Sequence, residues 1–317
     1  MKRSKGPEFS NKSGERVVFF DILRIFFIGA IVYGHYQVLP IDWLNSILFC
    51  DGYTPLNIYP LGLTGLSVYG MIFVSGAVLQ YRYKKIRKFS EYKIFLFKRF
   101  IRLYPAFWIS LLFGILLFPA VLQAGFFSLI LEFTGFYSFL GWGVDIINPM
   151  GWFIGTIFVL YLIFPVLSEA TEKYGIKALI AFMIVSYVTR IIFLVVNPLQ
   201  MDLLYRWFPL CNIFEFSLGI LIVQNGWFPR NIREYPIISK LAELSFFVFL
   251  FHVMIIYAFM KFEFPAQNLM EYYIGVTILT LIFGATMLFV AWLAMLIDKK
   301  IQTAIIQNNF VKQFLNS

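Results

Sequence analysis

Arg24 and His35 stand eleven residues apart inside one apolar stretch, FFDILRIFFIGAIVYGHY. Eleven steps of about 100° make three turns plus about 20°, so on a helix the two side chains share one face, stacked about 16 Å apart. A guanidinium within a membrane span costs about 3 kcal/mol on insertion scales, and such groups turn toward a protein interior or a water-filled cavity. Asp21, three residues before Arg24, lies on nearly the same stripe and is its expected counter-ion. His35 is the only plausible nitrogen base at its depth, since an ordinary imidazole pKa near about 6.5 suits proton transfer at neutral pH. A hydrogen bond to a neighbouring helix is the plainer account of a lone membrane histidine.

A second set of candidates lies in the connection 82–102, RYKKIRKFSEYKIFLFKRFIR, which holds nine cations and one acid, Glu91. Arg82 to Lys88 read as a solvated run that keeps the loop cytoplasmic and attracts anionic lipid, at about 1 kcal/mol per cation. Arg99 and Arg102 differ, because they occur at i and i+3 on one helical face where the chain re-enters the membrane. Paired guanidinium forks there, with Lys98 beside them, suit a polyanion such as the phosphates of a nucleotide or coenzyme A. Pro105 is placed in the first turns of the following helix, where its missing N–H costs least.

These groups need a scaffold, and composition says which. Of 317 residues, 60% are hydrophobic, 20% aromatic and only 14% charged, against about 25% charged in soluble domains. The bilayer is therefore the solvent, and the fold class is an all-α polytopic transmembrane bundle. Eight spans are expected, at 17–39, 61–81, 103–122, 152–169, 178–196, 207–224, 241–260 and 273–297. The segment 124–149 is apolar but short and ends in the loop GVDIINPMG, so the total stays between eight and ten. The first apolar run is too long for a signal-peptide core and has no small-residue cleavage site, so it is read as a retained span.

Of the 26 Lys and Arg residues, 22 fall on one side: the first 16 residues, 82–102, Lys173 and Lys177, Arg230 to Lys240, and the segment from Lys299 onward. That asymmetry puts both termini in the cytoplasm with an even number of crossings. The expected organisation is a basic cytoplasmic tail (1–16), a membrane domain (17–298) and a cytoplasmic tail (299–317). The net charge of +9 is thus topology and not nucleic-acid binding. Two histidines and two cysteines without ligand spacing make no case for a metal. No phosphate-cradling glycine loop is present, and no internal repeat.

FFDILRIFFIGAIVYGHY resembles the first-helix signature of the acyltransferase-3 family of integral membrane acyltransferases, whose hallmark is Arg-x10-His. KRFIRLYPAFW (98–108) is similar to the family's Arg-x-x-Arg segment, and GMIFVSGAVL (70–79) to its second helix. WFIGTIFVLYLIFP (152–165), FPLCNIFEFSLGIL (208–221) and SFFVFLFH (245–252) resemble its later spans in family order. One departure stands out: many members carry a glutamate where this chain has Ile157. Members that make polysaccharide O-acetyl or O-succinyl groups often lack it.

The resemblance implies transfer of an acyl group, acetyl in the usual case, from cytoplasmic acyl-CoA to a hydroxyl of a cell-surface polysaccharide or lipid-linked glycan. Acetyl-CoA is then the co-substrate, and membrane lipid and a carbohydrate or glycolipid are the partners, in the cell membrane. Arg99, Arg102 and Lys98 would hold CoA phosphates. Arg24, about 10 Å into the first span, would hold the pantetheine entrance or a phosphate, and the arm would run on toward His35, about 27 Å in. His35 would act as a general base or become acylated itself. Arg190, Arg206 and Glu215 would border an acceptor cavity on the outer side, with a structural ion pair as the alternative. Trp152 and Tyr161 would stack on sugar rings, and His252 would join that site unless it serves packing alone. Ser75 is read as a close-packing neighbour of Gly76. The competing functions are a transporter of an acyl donor or glycan, and a scaffold subunit of a synthesis machine.

Overall fold

The computed structural model describes residues 17–36, 62–140, 145–196, 207–229, 232–259 and 269–316. Among them there are helices and no strand. The long helices are α1 (Val18–Tyr36), α2 (Leu63–Arg82), α3 (Phe89–Leu117), α5 (Gly151–Tyr174), α6 (Ile176–Val196), α8 (Pro236–Phe259) and α9 (Leu269–Gln307). Short helices are α4 (Phe126–Thr134), α7 (Ile213–Asn225) and α10 (Asn309–Asn316). In lipid every backbone polar group must be satisfied within the segment, which is why these apolar runs become helices.

Seven helices are long and apolar enough to cross a membrane, and Pro209–Asn225 adds a shorter apolar helix. Chain direction makes this the eighth crossing, since α6 and α8 otherwise run the same way with no return. Segment 124–149 does not cross: α4 has nine residues, about 14 Å of helix against a core of about 30 Å. The open count of eight to ten thus closes at eight among the described residues. Gly34 at the end of α1 abuts Thr64 at the start of α2, so these two helix ends lie on one side of the bundle. At the opposite side Lys85 pairs with Glu172 at 2.7 Å and Lys299 with Glu243 at 3.0 Å. The cation-rich ends therefore converge on one side of the bundle, called the inner side, and the side of Gly34 and Thr64 is called the outer.

Helices α5 and α8 form the centre, each 67% buried over its apolar window, whereas α6 is 11% buried and lies at the lipid boundary. Around them α1 packs on α2 and α8, α2 on α7, and α3 on α5, α8 and α9. The α2–α7 contact is the tightest for a stated reason. A methyl at Gly76 would overlap the Phe216 carbonyl oxygen, and one at Gly219 would overlap that of Phe73. Small residues on both sides bring the backbones together, which is how helices associate where lipid is as apolar as leucine.

Two sequence expectations change. Helix α3 begins at Phe89, so Pro105 sits in its interior and not in its first turns. The half from Phe89 to Arg102 is itself helical and amphipathic, with Glu91 accepting from the backbone N–H groups of Arg87 and Lys88 at 3.0 and 3.3 Å to start it. Beyond the last span, α9 continues to Gln307 and α10 follows, with Phe314 set edge-on against Phe97 of α3.

Candidate active site

The stripe of α1 that carries Asp21, Arg24 and His35 faces the bundle. Between the two functional groups lie Ile28 and Ile31, both buried in the core, while Ile22, Phe26 and Tyr33 on the other face are exposed. Asp21 Oδ1 accepts from Arg24 Nη1 at 3.2 Å, with 24% of the arginine side chain exposed. The spacing argument therefore gives the correct face, because α1 is a regular helix with lipid on one side only.

At the inner end four helices bring cationic and hydroxyl groups together. Tyr161 of α5 lies beside Ser75 of α2 and within electrostatic range of Arg99, Arg24 and Arg102. Ser75 donates to the Met71 carbonyl at 2.9 Å. Arg99 donates to the Tyr83 hydroxyl at 3.2 Å and lies over its ring, 5.4 Å from the centroid. Its Nε is buried with no partner among the described residues. Asp298 of α9, buried and held by Gln302 at 2.6 Å, lies in the field of Arg102. Lys98 is exposed. Tyr161 thus sits with the arginines and not with Trp152.

At the outer end His35 meets a second imidazole. His35 Nδ1 lies 2.9 Å from His252 Nε2, and His252 Nδ1 lies 2.7 Å from the Phe249 carbonyl oxygen. The expectation that His35 is the sole nitrogen base at its depth is therefore wrong. His252 sits on α8, which runs parallel to α1, and the pair is 217 residues apart, beyond the reach of any spacing rule. Next to it the Tyr36 hydroxyl bonds to Thr280 Oγ1, and the Tyr36 ring stacks on Phe283 at 5.1 Å. Helices α8 and α9 thus clasp the outer end of α1.

The remaining candidates are elsewhere. Arg190 Nη2 donates to Glu215 Oε1 at 2.8 Å and to the Cys211 carbonyl at 2.5 Å, and its guanidinium lies over Tyr69 and Tyr187 at 4.8 and 5.1 Å. That is a closed cage joining α2, α6 and α7. Trp152 is buried and stacks on Trp207 at 5.6 Å, inclined by 18°. Arg206 lies outside the described residues. Ile157 is buried in the core, so no carboxylate occupies that place. Two clefts open at the inner side. One of about 590 Å³ is lined by Lys85, Arg87, Ser168 and Lys173, the other of about 560 Å³ by Lys177, Gln224 and Asn225. Neither includes the histidine pair.

A polar network in the outer segment 126–150 escaped the sequence reading. Glu132 accepts backbone N–H groups of Ile146, Ile147 and Asn148, each at 3.1 Å. Asn148 donates to Ser110 Oγ at 2.7 Å and to the Leu250 carbonyl at 3.1 Å. Asp145, buried next to Gly151, has both oxygens without a full hydrogen bond among the described residues. Burial, and then the nearby Glu132 charge, pushes the Asp145 carboxyl well above the ordinary aspartate range. Burial also raises Glu132, against the pull of its three N–H donors. Nothing in LILEF or GVDIINPM marks these residues, because the network exists only after the segment folds back on α3 and α8.

No curated protein and no solved structure matches the chain. The acyltransferase-3 family model, described as an acyltransferase domain, matches residues 17–236, from the start of α1 to the first residue of α8 and so over more than half the length. With that match and its helices long enough to span a bilayer, the chain belongs to the acyltransferase-3 family and is a multi-pass membrane acyltransferase.

Proposed function

We propose that this enzyme takes an acyl group, acetyl in the simplest case, from cytoplasmic acyl-CoA and transfers it to a hydroxyl of a cell-surface polysaccharide or lipid-linked glycan. The observation that carries the reading is the polarity of one bundle-facing stripe: Arg24 stands among Arg99, Arg102, Ser75 and Tyr161 at the cation-rich end, and His35 stands at the other. Three guanidiniums suit the phosphates of CoA, since bidentate contacts to such oxygens are strong and directional. Tyr161 and Ser75 add neutral hydroxyls for the pantetheine or pyrophosphate portion. The arm would extend along α1 where Ile28 and Ile31 pack in the core, and those contacts would open to let it deliver the thioester carbonyl to His35.

There the acceptor hydroxyl loses its proton to an imidazole nitrogen of His35 as its oxygen attacks the carbonyl carbon. A C–O bond forms, the C–S bond breaks, and the proton passes from the imidazolium to the departing thiolate, giving an ester and free CoA thiol. Arg190, Glu215 and Trp152 support the outer half as packing elements, because each is already committed to a buried partner.

Replacing His35 by Ala tests the reading, with surface glycans analysed by mass spectrometry from cells that make either form. Wild-type cells should carry the acyl substituent and His35→Ala cells should lose it at equal protein levels. Full acylation by His35→Ala would leave the proposed reaction without its base, and would favour a chemistry-free carrier.

A further inference from the structure

We infer that His252 is a positioning residue: it holds the proton of His35 on Nδ1 and so keeps the lone pair on Nε2. The inference deepens the proposed use of His35 and rests on the geometry of two contacts. The Phe249 carbonyl oxygen, 2.7 Å from His252 Nδ1, can only accept, so that nitrogen carries a hydrogen. The ring is 0% exposed, with the Phe249 ring 6.0 Å from it. A full charge there would cost several kcal/mol, so the ring is neutral and its Nε2 is an acceptor. His35 Nδ1 faces that acceptor at 2.9 Å and must be the donor.

The consequence concerns the reacting nitrogen. A free histidine side chain prefers its hydrogen on Nε2, the opposite arrangement. Both roles open to His35, base or nucleophile, need a lone pair on the nitrogen that meets substrate. The imidazole ring presents Nε2 away from its own backbone, and His252 occupies the Nδ1 side. When His35 takes up a proton, its Nδ1–H bond to a neutral acceptor becomes charge-assisted and stronger. This is the orienting function that a third group performs for a catalytic histidine elsewhere, here supplied by an imidazole whose own tautomer a backbone carbonyl fixes. His252 lies beyond the residues the family model matches.

The chain has two histidines, so nitrogen NMR of protein labelled with 15N-histidine and reconstituted in nanodiscs reads both rings directly. In the wild type, His35 should show a protonated Nδ1 and an unprotonated Nε2. His252→Gln, whose side-chain oxygen can accept the same bond, should keep that pattern and retain transfer within about tenfold. His252→Leu should move the hydrogen of His35 to Nε2 and lower kcat by about 10–100-fold at unchanged KM for the acyl donor. A wild-type His35 protonated on Nε2, or an unchanged pattern in a folded His252→Leu variant, would overturn the inference. Should the leucine variant fail to fold, the wild-type and glutamine spectra decide alone. The reading of His35 as the reacting group fails separately: an active His35→Ala enzyme sinks it whatever the tautomer.

Discussion

At the scale of single residues, neighbouring sequence positions have different work. Arg99 and Arg102 lie in the electrostatic range of Tyr161 in the inner cluster, whereas Lys98 is exposed and not among them. Replacing both arginines by Gln should weaken acetyl-CoA binding by about 100-fold or more, at about 1.5–3 kcal/mol per charged hydrogen bond. Lys98→Gln should change it little. Calorimetry on purified protein measures both, and equal losses would break the assignment of the face. Arg190 and Glu215 pose a stability question instead. Removing Glu215 alone leaves a buried guanidinium, so Glu215→Gln should destabilise by up to about 3–5 kcal/mol, and the double replacement Arg190→Met with Glu215→Gln by less. Thermal unfolding in detergent reads the difference. Asp145 supplies the pH dependence. Its folded value is raised above the unfolded one, so its contribution to stability is full in acid and is lost as pH climbs through the folded value. The wild type should therefore melt lower at about pH 8 than at about pH 5, and Asp145→Asn should flatten that slope.

At the scale of elements, what could be read from sequence is what is local. Span lengths, the inward face of α1 and the Arg24–Asp21 pair follow from hydropathy and a period of 3.6, and these need no knowledge of neighbours. Helix α3 runs unbroken through Pro105, which the sequence alone does not predict, because packing on α5, α8 and α9 outweighs the lost hydrogen bond. Asp298, Glu132 and His252 gain meaning only from partners on other helices, at sequence distances no spacing rule reaches. The α2–α7 seam is an intermediate case: Gly76 and Gly219 look ordinary alone, and their reciprocal contacts appear only when the helices are paired. Gly76→Val should drive α2 from α7 and destabilise the bundle by several kcal/mol. It should also reduce acetyl-CoA binding, since Ser75 moves with Gly76. A variant with normal melting and binding would show that the seam is not tight.

At the scale of the whole molecule, the account divides the bundle into two ends joined by one face of α1. Cations, hydroxyls and Asp298 gather at the inner end, the histidine pair at the outer, with Ile28 and Ile31 between. Peripheral α6 and α9 shield this interior from lipid, as their many exposed apolar side chains indicate. A donor and an acceptor approaching from opposite sides would meet at His35 without either crossing the bilayer entirely. Sided proteoliposomes address this directly, with labelled acetyl-CoA sealed on one face and surface glycan supplied on the other. The account predicts label in the glycan only when acetyl-CoA is on the face bearing Lys85 and Lys299, with His35→Ala abolishing it. Equal labelling with acetyl-CoA on the opposite face would contradict it.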